Sequence, residues 1–469
     1  MSEKPIWGED YDLVVVGSGF AGLAAAIEAK QAGASVIVLE KMRIPGGNSA
    51  ISGGLLAVAG SPLQQREGIE DSPELLFKDM MVAGMDLNHP VLARLVAEKS
   101  PEILEWTQTF LGVEYSDNLN YLGGHSVART YATANGTGSG IIKPMLAKCR
   151  ELEIPVQMKT LLCSLLKDDS GRVEGVEVRR DYLFPNRDSG QLQRIRARRG
   201  VVLACGGFSR DVAFRMTQDP RLNEKIDSTN QLGATAEALV LALQAGATPI
   251  HLSWIQMGPW ASSDEKGWGV GSMFTLLAGF PYGIMVDAKT GKRFVNEGAD
   301  RRLRTDAMLI TDRIPVAIVD SEGVKNATTL ESCLKRGVVK AFGSIEELAN
   351  FNHIPLVPLQ ETLERYHLSL AHGRDAEFGK PLAADLKPIE HPPFYSIRLL
   401  PKVHHCMGGI QINAQAQVID IADHQPIPGL YAAGEITGGV HGASRLGSTA
   451  IVDCLIFGRI AGQNAAADI

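Results

Sequence analysis

The sequence predicts an α/β protein, a parallel sheet layered with helices and interrupted by a second, α+β domain. Three observations predict it. Residues 11–41 read YDLVVVGSGFAGLAAAIEAKQAGASVIVLEK: an apolar strand, a glycine turn, an alanine-rich helix, and a second strand ending on an acid. Two later apolar stretches, at 201–204 and 428–433, also run into glycines, as buried strands of one sheet do. Between them, from about residue 253, the chain becomes aromatic and glycine-rich. It returns to the strand-and-glycine pattern near residue 405.

Residues 13–16 are short and β-branched enough for a buried parallel strand. Gly17-Ser18-Gly19-Phe20-Ala21-Gly22 follows, a G-x-G-x-x-G turn. Gly17 makes the tight turn, Gly19 lets backbone approach a pyrophosphate, and Gly22 lets helix and strand pack closely. The helix N-terminus offers N–H groups and a partial positive charge to phosphates. Glu40 stands where an acid accepts hydrogen bonds from the adenosine ribose, with Lys41 beside it. Together these make a Rossmann-like dinucleotide unit.

The next patch chooses the dinucleotide. Residues 44–54 contain Gly46, Gly47, Asn48, Ser49, Gly53 and Gly54 where a nicotinamide enzyme would proceed to another crossover helix. A long FAD lying extended needs such backbone without side chains. No histidine lies in this loop, so the flavin is expected to be bound non-covalently.

Ser72-Pro73-Glu74 and Asn88-His89-Pro90 open two helices that end near residue 110. Two glycine patches, 123–124 and 136–140, flank Arg129 and Tyr131. No apolar strand feeds the second patch, so it reads as a loop bordering the active site rather than another nucleotide site. A helix over 141–152 and strand-like pieces at 155–166 and 173–180 follow, joined by the Asp168-Asp169-Ser170-Gly171 turn. Gly206 closes the strand at 201–204, and a helix occupies 234–247. The domain divisions read 1–252, 253–404 and 405–469, the outer two forming one flavin domain. Gly434-Glu435 ends its last strand, and Ser448, Ala450 and Ile451 open a final helix whose dipole suits reduced flavin.

The totals exclude several classes. A 469-residue chain, 45% apolar, 21% charged and with net charge −7, suits a soluble globular protein with no nucleic-acid or membrane-surface partner. No secretory signal opens it and no segment is apolar enough to span a bilayer. Its six scattered cysteines form no C-x-x-C, which argues against attached haem, an iron–sulfur cluster or zinc; buried thiols in a reducing cytoplasm are expected.

The stretches GGNSAISGG, VVLACGGF, KRFVNE, HHCMGG and IPGLYAAGEITGGVHGASRLGS resemble the flavoprotein of the fumarate reductase and succinate dehydrogenase family. The look is closest to the flavin domain of soluble flavocytochrome c fumarate reductases. The resemblance implies FAD, a mobile cap and chemistry in the cleft between cap and flavin domain. It implies that His405 and Arg445 hold a substrate carboxylate, as a planar guanidinium grips one bidentately. It also implies that N5 of reduced FAD gives hydride to the β carbon of a double bond and that Arg301 protonates the α carbon. An arginine acid is workable because the carbanion it protonates is far more basic. In reverse Arg301 would have to be neutral, fewer than about one molecule in 10⁵ at pH 7, so reduction is favoured. Arg302 and Arg304 read as a solvated basic face.

Two departures from the family decide the substrate. Its fumarate-binding members hold the second carboxylate with the histidine of Gln-x-His-Pro; this chain has Gln256-Met257-Gly258-Pro259. They relay protons through Thr-Glu, where this chain has Thr275-Leu276. Room and apolar surface replace a donor, so a monocarboxylic 2-enoate with an apolar or aryl β substituent is expected rather than fumarate. Tyr131, Trp254, Trp260 and Trp268 would line its pocket. Asp300, Asp264 or water would resupply the proton, and a separate protein or small molecule would supply electrons. The alternatives are a fumarate or succinate enzyme, a ketosteroid-dehydrogenase-like enzyme, and a non-catalytic flavin electron carrier.

Overall fold

The computed structural model describes residues 6–310, 313–325, 327–383 and 385–468; residues 1–5, part of the stretch read as carrying no signal, lie outside them. The chain divides into two compact units, Met1–Arg221 with Gln231–Ile255 and His405–Ile469, and Leu222–Asn230 with Gln256–His404. The second unit thus takes a short stretch that the sequence had not separated from its surroundings. Thr229 N donates to Val403 O at 2.9 Å, and its hydroxyl meets His404 Nδ1 at 2.8 Å.

Among the described residues, the first unit carries an eight-stranded sheet. Its parallel part runs Pro426–Ala432, Gln191–Leu203, Glu9–Val16, Val36–Leu39 and Val156–Gln157. Leu13, Val14 and Val15 are wholly buried, as expected of a strand covered on both faces. Val14 pairs with Ile37 on one side and Val201 on the other. The helix Phe20–Gln31 packs against the final helix, Thr449–Ala467, through small residues. A Cβ on Gly462 would come within 2.2 Å of Ala25 O, so the two backbones touch.

The strand at 201–204 extends back to Gln191. Its first half alternates, with Ile195 and Ala197 inside and Arg194, Arg196 and Arg198 outside, and pairs antiparallel with Val173–Arg180. Only the apolar end was visible in the sequence, because the outer face of the rest is basic.

The second unit is built on a five-stranded sheet, in the order Lys292–Arg293, Ile284–Asp287, Pro315–Val319, Phe394–Arg398, Val339–Phe342. Strand alternation gives it two apolar faces. Met285, Ala317, Val319 and Ile397 join one cluster, and Ile284, Val286, Val316 and Ile318 another. The KRFVNE motif carries a buried ion network. Arg293 spans Glu297 (2.8 Å) and Asp375 (2.9 Å), and Lys380 stands 3.9 Å from Glu297. Burial alone would lower the Arg293 pKa, but hydrogen bonds to both carboxylates raise it above its ordinary value. No helix among the described residues is long and apolar enough to cross a membrane.

Candidate active site

The first unit shapes a cradle for an extended nucleotide. Gly17 has φ +109°, and a Cβ there would lie 2.2 Å from Ala204 O. A Cβ on Gly22 would lie 1.9 Å from Gly17 O, so helix and turn are in backbone contact. Glu40 accepts from Ser18 Oγ (2.6 Å), Ser18 N (3.2 Å) and Met42 N (2.9 Å), which aims its carboxyl from the end of the second strand. Ser18 Oγ in turn accepts from Gly46 N at 2.9 Å, tying the second glycine loop to the first. Ser49 Oγ accepts from Phe20 N at 3.0 Å, capping the helix from outside. Lys41 bonds Thr235 and Glu237, while Gly47, Gly53 and Gly54 continue the loop that Asn48 joins to Gln231 N (2.8 Å).

A second helix N-terminus opens at Ser448, φ +63°, with no side-chain cap. Its Oγ is buried without a partner among the described residues, and Ala450 and Ile451 form the first turn beyond it. Gly206, φ +78°, has no atom within 4 Å of an added Cβ. An uncapped helix start at Ser448, an orphaned hydroxyl and open glycine backbone fit the phosphates and polar chain of FAD. When bound there, FAD supplies hydride chemistry.

Glu435, which follows Gly434, is the polar hub of this unit. It accepts from Cys406 N (2.9 Å) and takes further hydrogen bonds from Gly207 N and Asn48. His405 Nδ1 lies 3.6 Å from its Oε1. Burial raises the Glu435 pKa despite these bonds and the charge of Arg445. Arg445, 7% exposed, donates from Nη1 to Leu446 O at 3.0 Å. Burial presses its pKa to about 10 against the pull of Glu435, which still leaves a cation at neutral pH. The His405 ring meets the edge of His441 at 5.6 Å, and His441 Nε2 bonds Asp453 Oδ2 at 3.1 Å. His441 and Asp453 were missed in the sequence, although His441 stands inside the quoted VHGASRLG stretch.

The second unit presents Arg301 at the start of the helix Arg301–Met308. Its Nη1 donates to Gln256 Oε1 at 2.7 Å, and its guanidinium carbon lies 5.1 Å from the centre of the Trp260 ring. Gln256 was also missed as a functional side chain; it is the glutamine of the Gln-x-Gly-Pro segment already singled out. Asp300 caps the helix through Arg302 N (2.8 Å) and Leu303 N (3.2 Å), and Asp264 pairs with Arg398 (2.6 Å). Both expected proton suppliers are thus committed to structure.

Four expectations change here. Arg304 is no solvated face: Nη1 donates to Glu297 O (3.3 Å), the guanidinium lies 4.4 Å from the Phe280 ring centre, and burial lowers its pKa to about 10. Arg302 does remain at the surface, 40% exposed. Thr275 turns its hydroxyl onto Gly271 O (3.0 Å) inside a buried helical turn, while Leu276 packs on the apolar cluster around Trp260. Tyr131 belongs to the core of the first unit, 4% exposed, with its hydroxyl accepting from Leu63 N at 3.3 Å. Pairing of its strand with Leu55–Ala57 turns that ring inward. The room expected at Gly258 is taken by the Trp260 indole, whose Cε2 would lie 3.1 Å from an added Cβ.

The cysteines are free, with Cys149, Cys333 and Cys406 buried and Cys163, Cys205 and Cys454 half-buried. Burial pushes the Cys205 thiol up to about 12, which makes it inert at neutral pH.

His125 steadies the turn before the final helix. Its Nε2–H donates to Gly447 O at 2.8 Å, and its buried Nδ1 has no partner. Burial, with Arg129 nearby, lowers its pKa to about 4. Arg129 itself is pinned between Asp71 (3.0 Å) and Asp79 (2.9 Å). Between pH 6.5 and about 4 the unfolded chain binds this proton and the fold does not. Stability therefore falls as pH falls, by about 2 kcal/mol between pH 7 and pH 5. Urea unfolding at both pH values should show a flatter pH dependence for His125→Gln; an unchanged slope would remove this role.

Residues 12–451 match the FAD binding domain family. The chain is 43% identical to the acrylate reductase flavoprotein subunit of Shewanella woodyi, over 97% of this chain and 91% of that protein. It is 37% identical to urocanate reductase of Eggerthella lenta, covering 98% and 75%. The open conformation of a flavocytochrome c3 fumarate reductase superposes with a TM-score of 0.83 at 32% identity, covering 98% of this chain and 79% of that one. With the cradle, the family match and these likenesses together, the chain belongs to the FAD binding domain family and is a flavin-dependent oxidoreductase of the fumarate reductase type.

Proposed function

We propose that this protein reduces the carbon–carbon double bond of a monocarboxylic 2-enoate, with His405 and Arg445 holding the carboxylate and Arg301 protonating the α carbon. Non-covalently held FAD would supply the hydride chemistry for the β carbon. Arg445 remains cationic despite its burial and polarises the carboxylate, while His405 adds a second donor, aligned by Glu435. Gln256 and Trp260 keep the Arg301 guanidinium in one orientation, which general-acid transfer requires.

The observation that carries the substrate class is the wall beside Arg301. Gly258, Trp260 and Leu276 pack together and offer no cationic partner to a second carboxylate. Burying a second carboxylate against them would cost several kcal/mol, roughly the desolvation penalty of an unpaired ion. The acrylate and urocanate reductase likenesses support an unsaturated acid in general. Electrons come from a separate protein or small molecule. Six free cysteines suit a reducing cytoplasm.

The test is anaerobic photoreduction of the bound flavin, followed by reoxidation with acrylate, methacrylate, cinnamate, urocanate and fumarate. A monocarboxylic acid should reoxidise it fastest. If fumarate is fastest, the apolar-wall argument fails.

A further inference from the structure

Gly258 and Trp260 occupy one piece of space between them. A Cβ built on Gly258 would meet Trp260 Cε2 at 3.1 Å, Cζ2 at 3.2 Å and Nε1 at 3.3 Å, so any longer side chain there would run into the indole. Nor is the indole free to swing. It is 4% exposed, its ring lies 5.4 Å from His404 edge-on and 6.1 Å from Trp268, and His404 is fixed by the Thr229 hydroxyl at 2.8 Å. It also faces the Arg301 guanidinium, 5.1 Å from the ring centre. Its Nε1–H is buried with no acceptor among the described residues, a single neutral donor that is no substitute for a cation opposite a carboxylate.

We infer that Trp260 sets the size limit of the substrate, so that the enzyme takes short 2-enoates such as acrylate, methacrylate and crotonate and turns away aryl ones. The inference rests on the reductase reading above and deepens it. A proton donor must come within about 3 Å of the atom it protonates, so the α carbon is brought close to Arg301. A guanidinium stacked on Trp260 therefore brings the β substituent toward the same indole. A hydrogen or methyl group needs little space beside it, whereas a phenyl or imidazole ring would have to displace a boxed tryptophan. Glycine at 258 then makes room for the tryptophan and leaves none for substrate. The aryl substrates expected from the sequence are the ones this wall disfavours.

The experiment compares kcat/KM for cinnamate and for acrylate in the FAD-loaded full chain, with dithionite-reduced methyl viologen as electron donor. The wild type should favour acrylate strongly. Trp260→Ala should raise the cinnamate-to-acrylate ratio by at least about tenfold, the discrimination a filled apolar pocket provides. Trp260→Phe, which keeps a ring against His404, should raise it less. Absolute rates will fall as Arg301 loses its stacking partner, which is why the ratio is the readout. Gly258→His alone should gain no fumarate turnover, and Gly258→His with Trp260→Ala should gain it. A wild type that reduces cinnamate as fast as acrylate, or an unchanged ratio in both Trp260 variants that still retain flavin, overturns the size limit while leaving the reductase reading standing. A wild type oxidised by none of these acids overturns both.

Discussion

Arg301→Ala lowers turnover of an unsaturated acid by about 10²–10⁴-fold, the range for removing a positioned general acid, while the protein keeps its flavin absorbance. The two readouts separate because Arg301 lies in the second unit and the glycine cradle in the first. The size of the loss follows from what the arginine does. In the proposed reaction it gives a proton to the α carbon while the β carbon takes the hydride, and water cannot be aligned in its place by Gln256 and Trp260. Arg301→Lys should restore little, because a flexible ammonium lacks the planar fork that Gln256 holds and that stacks on the indole. Rapid single-turnover reoxidation, compared with steady-state kcat, is the measurement. Retained turnover in the alanine variant would take the proton-donor role away from Arg301.

The second large effect is on stability. Arg293→Leu should destabilise the second unit by about 3–5 kcal/mol, the cost of removing one partner from a buried ion network. Arg293 is 1% exposed and satisfies Glu297 and Asp375 together; without it, two wholly buried carboxylates keep backbone N–H donors and, among the described residues, Lys380 as the nearby cation. Glu297 also accepts from Met285 N at 2.9 Å, so the loss reaches the central sheet. The backbone carbonyl of Glu297 receives Arg304, one turn along the helix that opens with Arg301. The KRFVNE motif therefore anchors the helix that carries Arg301, the proposed proton donor. Urea unfolding followed by tryptophan fluorescence includes this unit, which contains two of the five tryptophans, Trp260 and Trp268. A midpoint within a few tenths of a molar of wild type would refute the account.

What the sequence determined by itself was the dinucleotide half. A parallel strand, a glycine turn, a helix and an acid are local signals, each read within about 30 residues of chain and each set by backbone sterics and burial. The basic residues proposed for the site, His405, Arg445 and Arg301, were picked out through the family resemblance of the motifs that carry them. Only the tertiary structure decided which side chains were already spoken for. Tyr131 was drawn into the core by strand pairing, Thr275 spent its hydroxyl on Gly271, and Asp300 and Asp264 were committed to a helix cap and an ion pair. Arg304, one turn from Arg301 and read as part of a solvated basic face, packs on the Phe280 ring. The same holds at Gly258, where a missing side chain read as empty space until the indole two residues on was seen to fill it. Volume and hydrogen-bond commitment belong to packing among distant segments, and no local pattern of residue types records which neighbour arrives first.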